Sequence, residues 1–206
     1  MQINLQDVPE KDRGILSPCG IACLGCELHR EESLEAAKTL VKIWNGWNME
    51  DGAGAIGLKI VEVSQVLEIL EKFIKYRDEN GPCRGCYHGD GPSATCSISQ
   101  CVKKNGYWTC AECEKFEPNT DQVCPQQDEE NANILGKPFA ARSQAFELVN
   151  KRYGCTNIDN LKRCQEIGYV NFIAEMKEKV NNGWRTWQVI SPEKVFLERF
   201  IKLFGQ

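Results

Sequence analysis

The spacing of the cysteines constrains this chain more than any other feature. Twelve occur in 206 residues, and ten of them lie between positions 19 and 124. The stretch SPCGIACLGCELHR, residues 17–30, sets Cys19, Cys23 and Cys26 as C-x3-C-x2-C. A second block, CRGCYHGDGPSATCSISQCVKKNGYWTCAEC, carries Cys83-x2-Cys86, Cys96-x4-Cys101 and Cys110-x2-Cys113. A C-x2-C turn brings two thiolates onto one ion while the intervening amides point at the sulfurs. Gly85 suits the tight backbone of such a turn. Residues 83–124 are rich in Gly, Ser, Asn and Pro and lack long apolar runs. A segment of this kind cannot bury enough apolar surface to offset the entropy of ordering it. Bonds to metal would supply the missing stabilisation, so the pattern predicts metal-binding loops.

Nine grouped cysteines are enough for two tetrathiolate sites. Cys83, Cys86, Cys110 and Cys113 form one candidate set, in the manner of a zinc ribbon, and Cys83, Cys86, Cys96 and Cys101 form another. The N-terminal triplet needs a fourth ligand from elsewhere, which would tie the start of the chain to the second block. His29 and His88 lie close to cysteines and are further candidate ligands, as is Cys124; for a lone histidine the plain alternative is a surface side chain. Cys155 and Cys164 stand apart, in or beside expected helices, and read as buried small apolar residues. Thiolates serve Zn2+ and iron–sulfur clusters alike. Zn2+ is the expected metal, with a 4Fe–4S cluster as the alternative. Disulfides are the competing use of these thiols. The polar N-terminus without an apolar core, and the lack of any run of about 18 apolar residues, lead to the expectation of a cytoplasmic, reducing setting with no membrane span.

Between the two blocks lie 56 residues, 27–82, with two helical patterns. In EESLEAAKTLVKIWNGW, Leu34, Ala37, Leu40, Val41 and Trp44 recur at three- and four-residue steps. EDGAGAIG interrupts the pattern. In LKIVEVSQVLEILEKFIKYRDENG, Val63, Val66, Leu67, Leu70, Phe73 and Ile74 form a stripe that Gly81 and Pro82 stop. PQQDEENANILGKP reads as a linker. Further helices are expected in FAARSQAFELVNKRYG, in NIDNLKRCQEIG with Asn157 as N-cap, and in YVNFIAEMKEKVNNG. GWRTWQVI reads as extended, and SPEKVFLERFIKLFG as a last helix with Ser191 as N-cap and Pro192 in its first turn. The expected fold is mainly α: a helical domain with irregular cysteine-rich metal-binding loops and room for a little strand. Residues 1–130 are expected to form the cysteine-rich region with its two inserted helices, and residues 131–206 a helical region packed on it as one unit.

The order C-G-x-x-C-x-x-C, C-x-G-C, C-x-I-x-x-C, C-x-x-C resembles that of the DUF3795 family, whose members are often described as zinc-finger-like. The matching residues are Cys19, Gly20, Cys23 and Cys26, then Cys83, Gly85 and Cys86, then Cys96, Ile98 and Cys101, then Cys110 and Cys113. The tail NLKRCQEIGYVNFIAEMKEK also resembles the helical ending of the family, so the likeness runs over about residues 16–179. Two positions depart from it. Ser99 stands where the family usually has arginine. The further cysteine expected about three residues after the last pair is replaced by EKFEPNTDQVC, with ten residues before Cys124. The resemblance implies a metal-binding fold and brings no reaction with it.

Charge narrows the remaining roles. Residues 1–130 carry 13 basic and 22 acidic side chains, net −9, while residues 131–206 carry 12 and 7, net +5. An acidic, cysteine-rich half repels nucleic-acid phosphates. Tyr107 and Trp108 beside Lys103 and Lys104 therefore read as a lid over a metal site in preference to a stacking platform. Radical chemistry on the opening triplet would need a barrel-like series of strands, and none is present. With only two histidines, no Ser/His/Asp or Cys/His set stands out. The resulting expectation is a structural zinc protein acting as a scaffold or interaction module for a protein or small-molecule partner. Electron transfer by an iron–sulfur cluster is the alternative.

Overall fold

A computed structural model describes residues 5–94, 96–116, 133–134, 137–138 and 142–190. The chain is mainly α, and it divides into two compact units: Glu27–Cys83, and Met1–Cys26 together with Arg84–Gln206.

The 27–83 unit holds α1 (Glu32–Gly46), α2 (Met49–Gly52) and α3 (Ile60–Asn80). The expected stripes set its packing. Leu34 and Ala37 of α1 are buried, and Met49, Ala53, Val63 and Leu67 form a small core against which Val41 and Trp44 pack. The segment read as a plain break contains the extra turn α2. The start of α3 is fixed by Glu62, whose carboxylate accepts the Lys59 amide at 2.8 Å. It ends where Gly81 takes φ +71°. Arg77, on the inner face of α3, is buried. Its guanidinium donates to the carbonyls of Glu27 and Arg30 and to the Glu31 carboxylate, each at 3.3 Å.

The larger unit begins with short 3-10 turns and contains α4 (Ser97–Lys104), α5 (Arg142–Tyr153), α6 (Thr156–Ile167) and α7 (Tyr169–Asn181). Two-residue strands β1 (Asn133–Ile134) and β2 (Lys137–Pro138) pair antiparallel. Helix α4 was not expected, because SISQCVKK carries no long apolar stripe. Its Ile98 and Val102, four residues apart, are nonetheless fully buried. They join Leu16, Trp108, Leu161, Phe172 and Met176 in one core, which thus draws on both ends of the sequence.

Three local expectations are corrected. Helix α6 starts one residue before Asn157, with Cys155 as its N-cap, because the Asn157 amide is engaged by the backbone of Cys19. Cys155 is exposed rather than buried, since its left-handed φ of +62° turns it out at the α5–α6 corner. Thr186–Val189 forms a 3-10 turn rather than an extended run, with Gln188 accepting from the Arg185 amide. Cys164 is buried, as a small apolar residue would be. Cys124, most of the expected linker and the expected helix at 191–205 lie outside the described residues.

Candidate metal centre

The opening triplet sits on a loop folded back on itself. The Ser17 amide donates to Ile21 O at 2.9 Å, and Ser17 Oγ accepts the Ile21 amide at 2.8 Å. The Ser17 hydroxyl also lies within hydrogen-bond reach of Cys19 Sγ, 3.2 Å away. Cys23 and Cys26 bracket a 3-10 turn closed by the Cys26 amide on Cys23 O at 2.9 Å. The Cys23 thiol lies 3.7 Å from Ile21 O. Gly20 is required by the backbone: its φ is +91°, and a Cβ there would fall 2.0 Å from Asn157 O.

Cys96 is the N-cap of α4. Its side chain makes no capping hydrogen bond; burial pushes its thiol up, and the nearby backbone of Ser99 and Ile98 opposes that rise. The free amides of a helix N-terminus are the natural seat of a negative charge. Burial likewise pushes the Cys19 thiol up to about 11, and Cys96 acts in the same direction, so the two sulfurs are electrostatic neighbours across 77 residues of sequence. Tyr153, at the end of α5, belongs to the same group. Burial raises its phenol to about 12; Arg152 opposes this, while Cys19 and Cys26 add to it.

The last pair stands on a neighbouring turn. The Cys110 amide donates to Pro18 O at 2.9 Å, tying this turn to the residue before Cys19, and the Cys113 amide closes on Cys110 O at 3.0 Å. A buried relay holds the turn. Thr109 accepts the Ala111 amide and lies 2.7 Å from the Tyr169 hydroxyl, which donates to Glu112 at 2.8 Å. The same Glu112 oxygen accepts the Trp108 and Thr109 amides. Burial, and then the Glu112 charge, pushes Tyr169 far above the usual tyrosine range. The T-x-x-E of Thr109–Glu112 is a capping-box signal written in the sequence. Trp108, expected as a lid, is core: its ring packs on Tyr169 at 4.6 Å and meets Tyr87 edge-on at 6.5 Å.

The other expected ligands are placed differently. Cys101 lies within α4, five residues beyond Cys96 at its N-cap. Asn105 Nδ2 stands 3.6 Å from Cys101 Sγ. Cys86 opens the 3-10 turn Cys86–His88 after Gly85, which takes φ +89° as its tight backbone requires. Cys83 ends the 27–83 unit, where its amide donates to Leu28 O at 2.8 Å. Its carbonyl lies 2.7 Å from His29 Nδ1; a carbonyl only accepts, so Nδ1 carries the proton. His88 meets the Tyr87 ring edge-on.

No disulfide links the eleven cysteines among the described residues. Among those residues no three His, Cys, Asp or Glu side chains are assembled as a ready-made cage for an ion. The donors nevertheless suit a thiophilic cation. Burial raises both the Cys19 and the Cys96 thiol, and Cys96 adds to the rise at Cys19; a thiophilic cation would offset that cost by binding the thiolate form.

A profile described as a protein of unknown function, DUF3795, matches residues 15–122, just over half the chain. The chain belongs to the DUF3795 family. All nine grouped cysteines fall within the DUF3795 match, whereas α5, α6 and α7 lie beyond it. Comparison with curated proteins and with solved structures finds no match. Within the matched segment, the Ser99 hydroxyl is buried and without a hydrogen-bond partner.

Sequence reasoning missed α4 as the carrier of Cys96, and it missed Tyr153, Asn157, Asn160, Thr186 and the Tyr169 relay. Only the T-x-x-E box had a local signature; the others act across more than fifty residues.

Proposed function

We propose that this DUF3795 protein is a structural zinc protein whose Cys-ligated centre organises a scaffold for partner recognition. What supports the reading is the grouped spacing of nine cysteines, together with the electrostatic influence of Cys96 on the buried Cys19 thiol 77 residues earlier. Cys19, Cys23 and Cys26 would hold the first ion, with Cys96 as the fourth ligand. Cys83, Cys86, Cys101, Cys110 and Cys113 are the remaining proposed donors. A closed site of four thiolates is structural in character and contributes to folding directly. Such thiols persist only in a reducing compartment, so the proposed location is the cytoplasm. No helix among the described residues is long and apolar enough to cross a membrane.

The partner-recognition half of the reading draws on surface composition. Of the twelve large apolar side chains exposed among the described residues, ten belong to residues 27–83, including Trp47, Ile60, Ile69 and Tyr76. Apolar exposure concentrated in this way marks interaction surfaces more often than monomer surface.

The test is protein purified without oxygen. A colourless sample containing zinc supports the proposal. A brown sample with iron and acid-labile sulfide replaces it with an electron-transfer protein. Retention on duplex or single-stranded nucleic acid at low salt would contradict the expectation that nucleic acid is not a partner.

A further inference from the structure

The loop that carries the opening triplet is held by its backbone from the far end of the chain. Asn157 Nδ2 donates to Cys19 O at 3.1 Å, Asn160 Nδ2 to Gly20 O at 2.9 Å and Thr186 Oγ1 to Ala22 O at 2.8 Å. These partners are 138, 140 and 164 residues apart in sequence. All three side chains are buried, at 1%, 7% and 2% exposure. Asn157 Nδ2 also donates to Asn150 Oδ1 at 2.8 Å, which braces it against α5. Trp184 closes the other side of the loop: its ring lies where a Cβ on Gly25, between Cys23 and Cys26, would approach to 2.6 Å.

A buried amide or hydroxyl is costly unless it is hydrogen-bonded, and apolar residues of the same size would fill this space without that cost. Three such donors converge on three carbonyls, those of Cys19, Gly20 and Ala22, within a four-residue stretch. We infer that Asn157, Asn160 and Thr186 are positioning residues that fix the backbone of the thiol loop and thereby set the reactivity and metal retention of Cys19, Cys23 and Cys26. They lie outside the segment that matches the family, so the cysteine-rich region does not define its own outer shell. Groups that orient metal ligands from behind typically change affinity 10- to 100-fold when removed. The metal-retention part rests on the zinc reading above; the reactivity part does not.

The experiment uses the full-length protein as purified without oxygen. Thr186→Val and Asn160→Leu each remove a donor at nearly constant volume, and Thr186→Ser restores the hydroxyl. Alkylation by iodoacetamide is timed at each cysteine by peptide mass, with core-buried Cys164 as the internal control, and zinc loss to a chromogenic chelator is followed in parallel. Thr186→Val and Asn160→Leu are expected to speed alkylation of Cys23 and Cys26 several-fold with Cys164 unchanged, and to speed zinc loss about 10-fold or more. Thr186→Ser should resemble the unaltered protein. Unchanged rates at Cys23 and Cys26, or rates that rise in step with Cys164, overturn the inference. If alkylation responds as expected but the unaltered protein holds no metal, the positioning role stands and the zinc reading falls.

Discussion

At the scale of single residues, Cys96 and Cys101 show how little a spacing says by itself. Both sit in one C-x4-C group, yet Cys96 is the N-cap of α4 and Cys101 lies within the helix. Cys96→Ser is expected to remove about one equivalent of bound zinc, while Cys155→Ser, at an exposed corner, should leave the metal content unchanged. Elemental analysis of the two variants distinguishes them. The Tyr169 hydroxyl links Thr109 to Glu112 behind the Cys110–Cys113 turn. Tyr169→Phe removes one of three donors to Glu112 and leaves the buried Thr109 hydroxyl proton without its partner, which should cost roughly 1–3 kcal/mol in a denaturation midpoint series. Asp90 offers a test by pH. Its carboxylate accepts from the Arg84 side chain and, at 2.7 Å, from the Arg84 amide, which hold it below the usual aspartate range. A depressed folded value means the contribution is complete above about pH 3.9 and is lost as pH falls through the lower folded value. The Arg84 amide resonance should report that midpoint below 3.9, and Asp90→Asn should abolish the transition.

At the scale of elements, the long amphipathic helices were legible and the short one was not. Helices α1 and α3 carry apolar residues at helical spacing over four or more turns, a signal that outweighs local detail. Val66, counted in the α3 stripe, is nonetheless exposed, because only Val63, Leu67 and Arg77 of that helix are buried. Helix α4 has eight residues and two buried apolar positions, too few for periodicity to register; its stability comes from the core it enters. The nine cysteines could be named as candidates from spacing alone. Which sulfurs adjoin, and which distant side chains brace them, could not, because Asn157, Asn160 and Thr186 look like ordinary helix and turn residues until the chain folds back. Arg77 makes an element-scale prediction of its own. It donates to two carbonyls and one carboxylate of the 27–31 segment, and lysine cannot reproduce that planar fork. Arg77→Lys should lower the stability of the 27–83 helices by roughly 1–3 kcal/mol, read as faster amide exchange along α3.

At the scale of the whole molecule, the family match and the folding unit do not coincide. The match stops at residue 122, but Leu16, Ile98 and Trp108 share their core with Leu161, Phe172 and Met176 from α6 and α7. A chain ended at residue 122 is expected to lose cooperative unfolding and near-ultraviolet circular dichroism, since half of that core is missing. In the zinc reading proposed above, bound metal would supply stabilisation that the loops around residues 83–113 lack. The most direct test is the metal-to-protein ratio of the full-length chain, measured by elemental mass spectrometry after purification without oxygen. The account predicts one to two zinc ions per chain in the cooperatively folded protein. A folded chain carrying less than about a tenth of an equivalent of any transition metal, with the grouped thiols all open to titration, would contradict it.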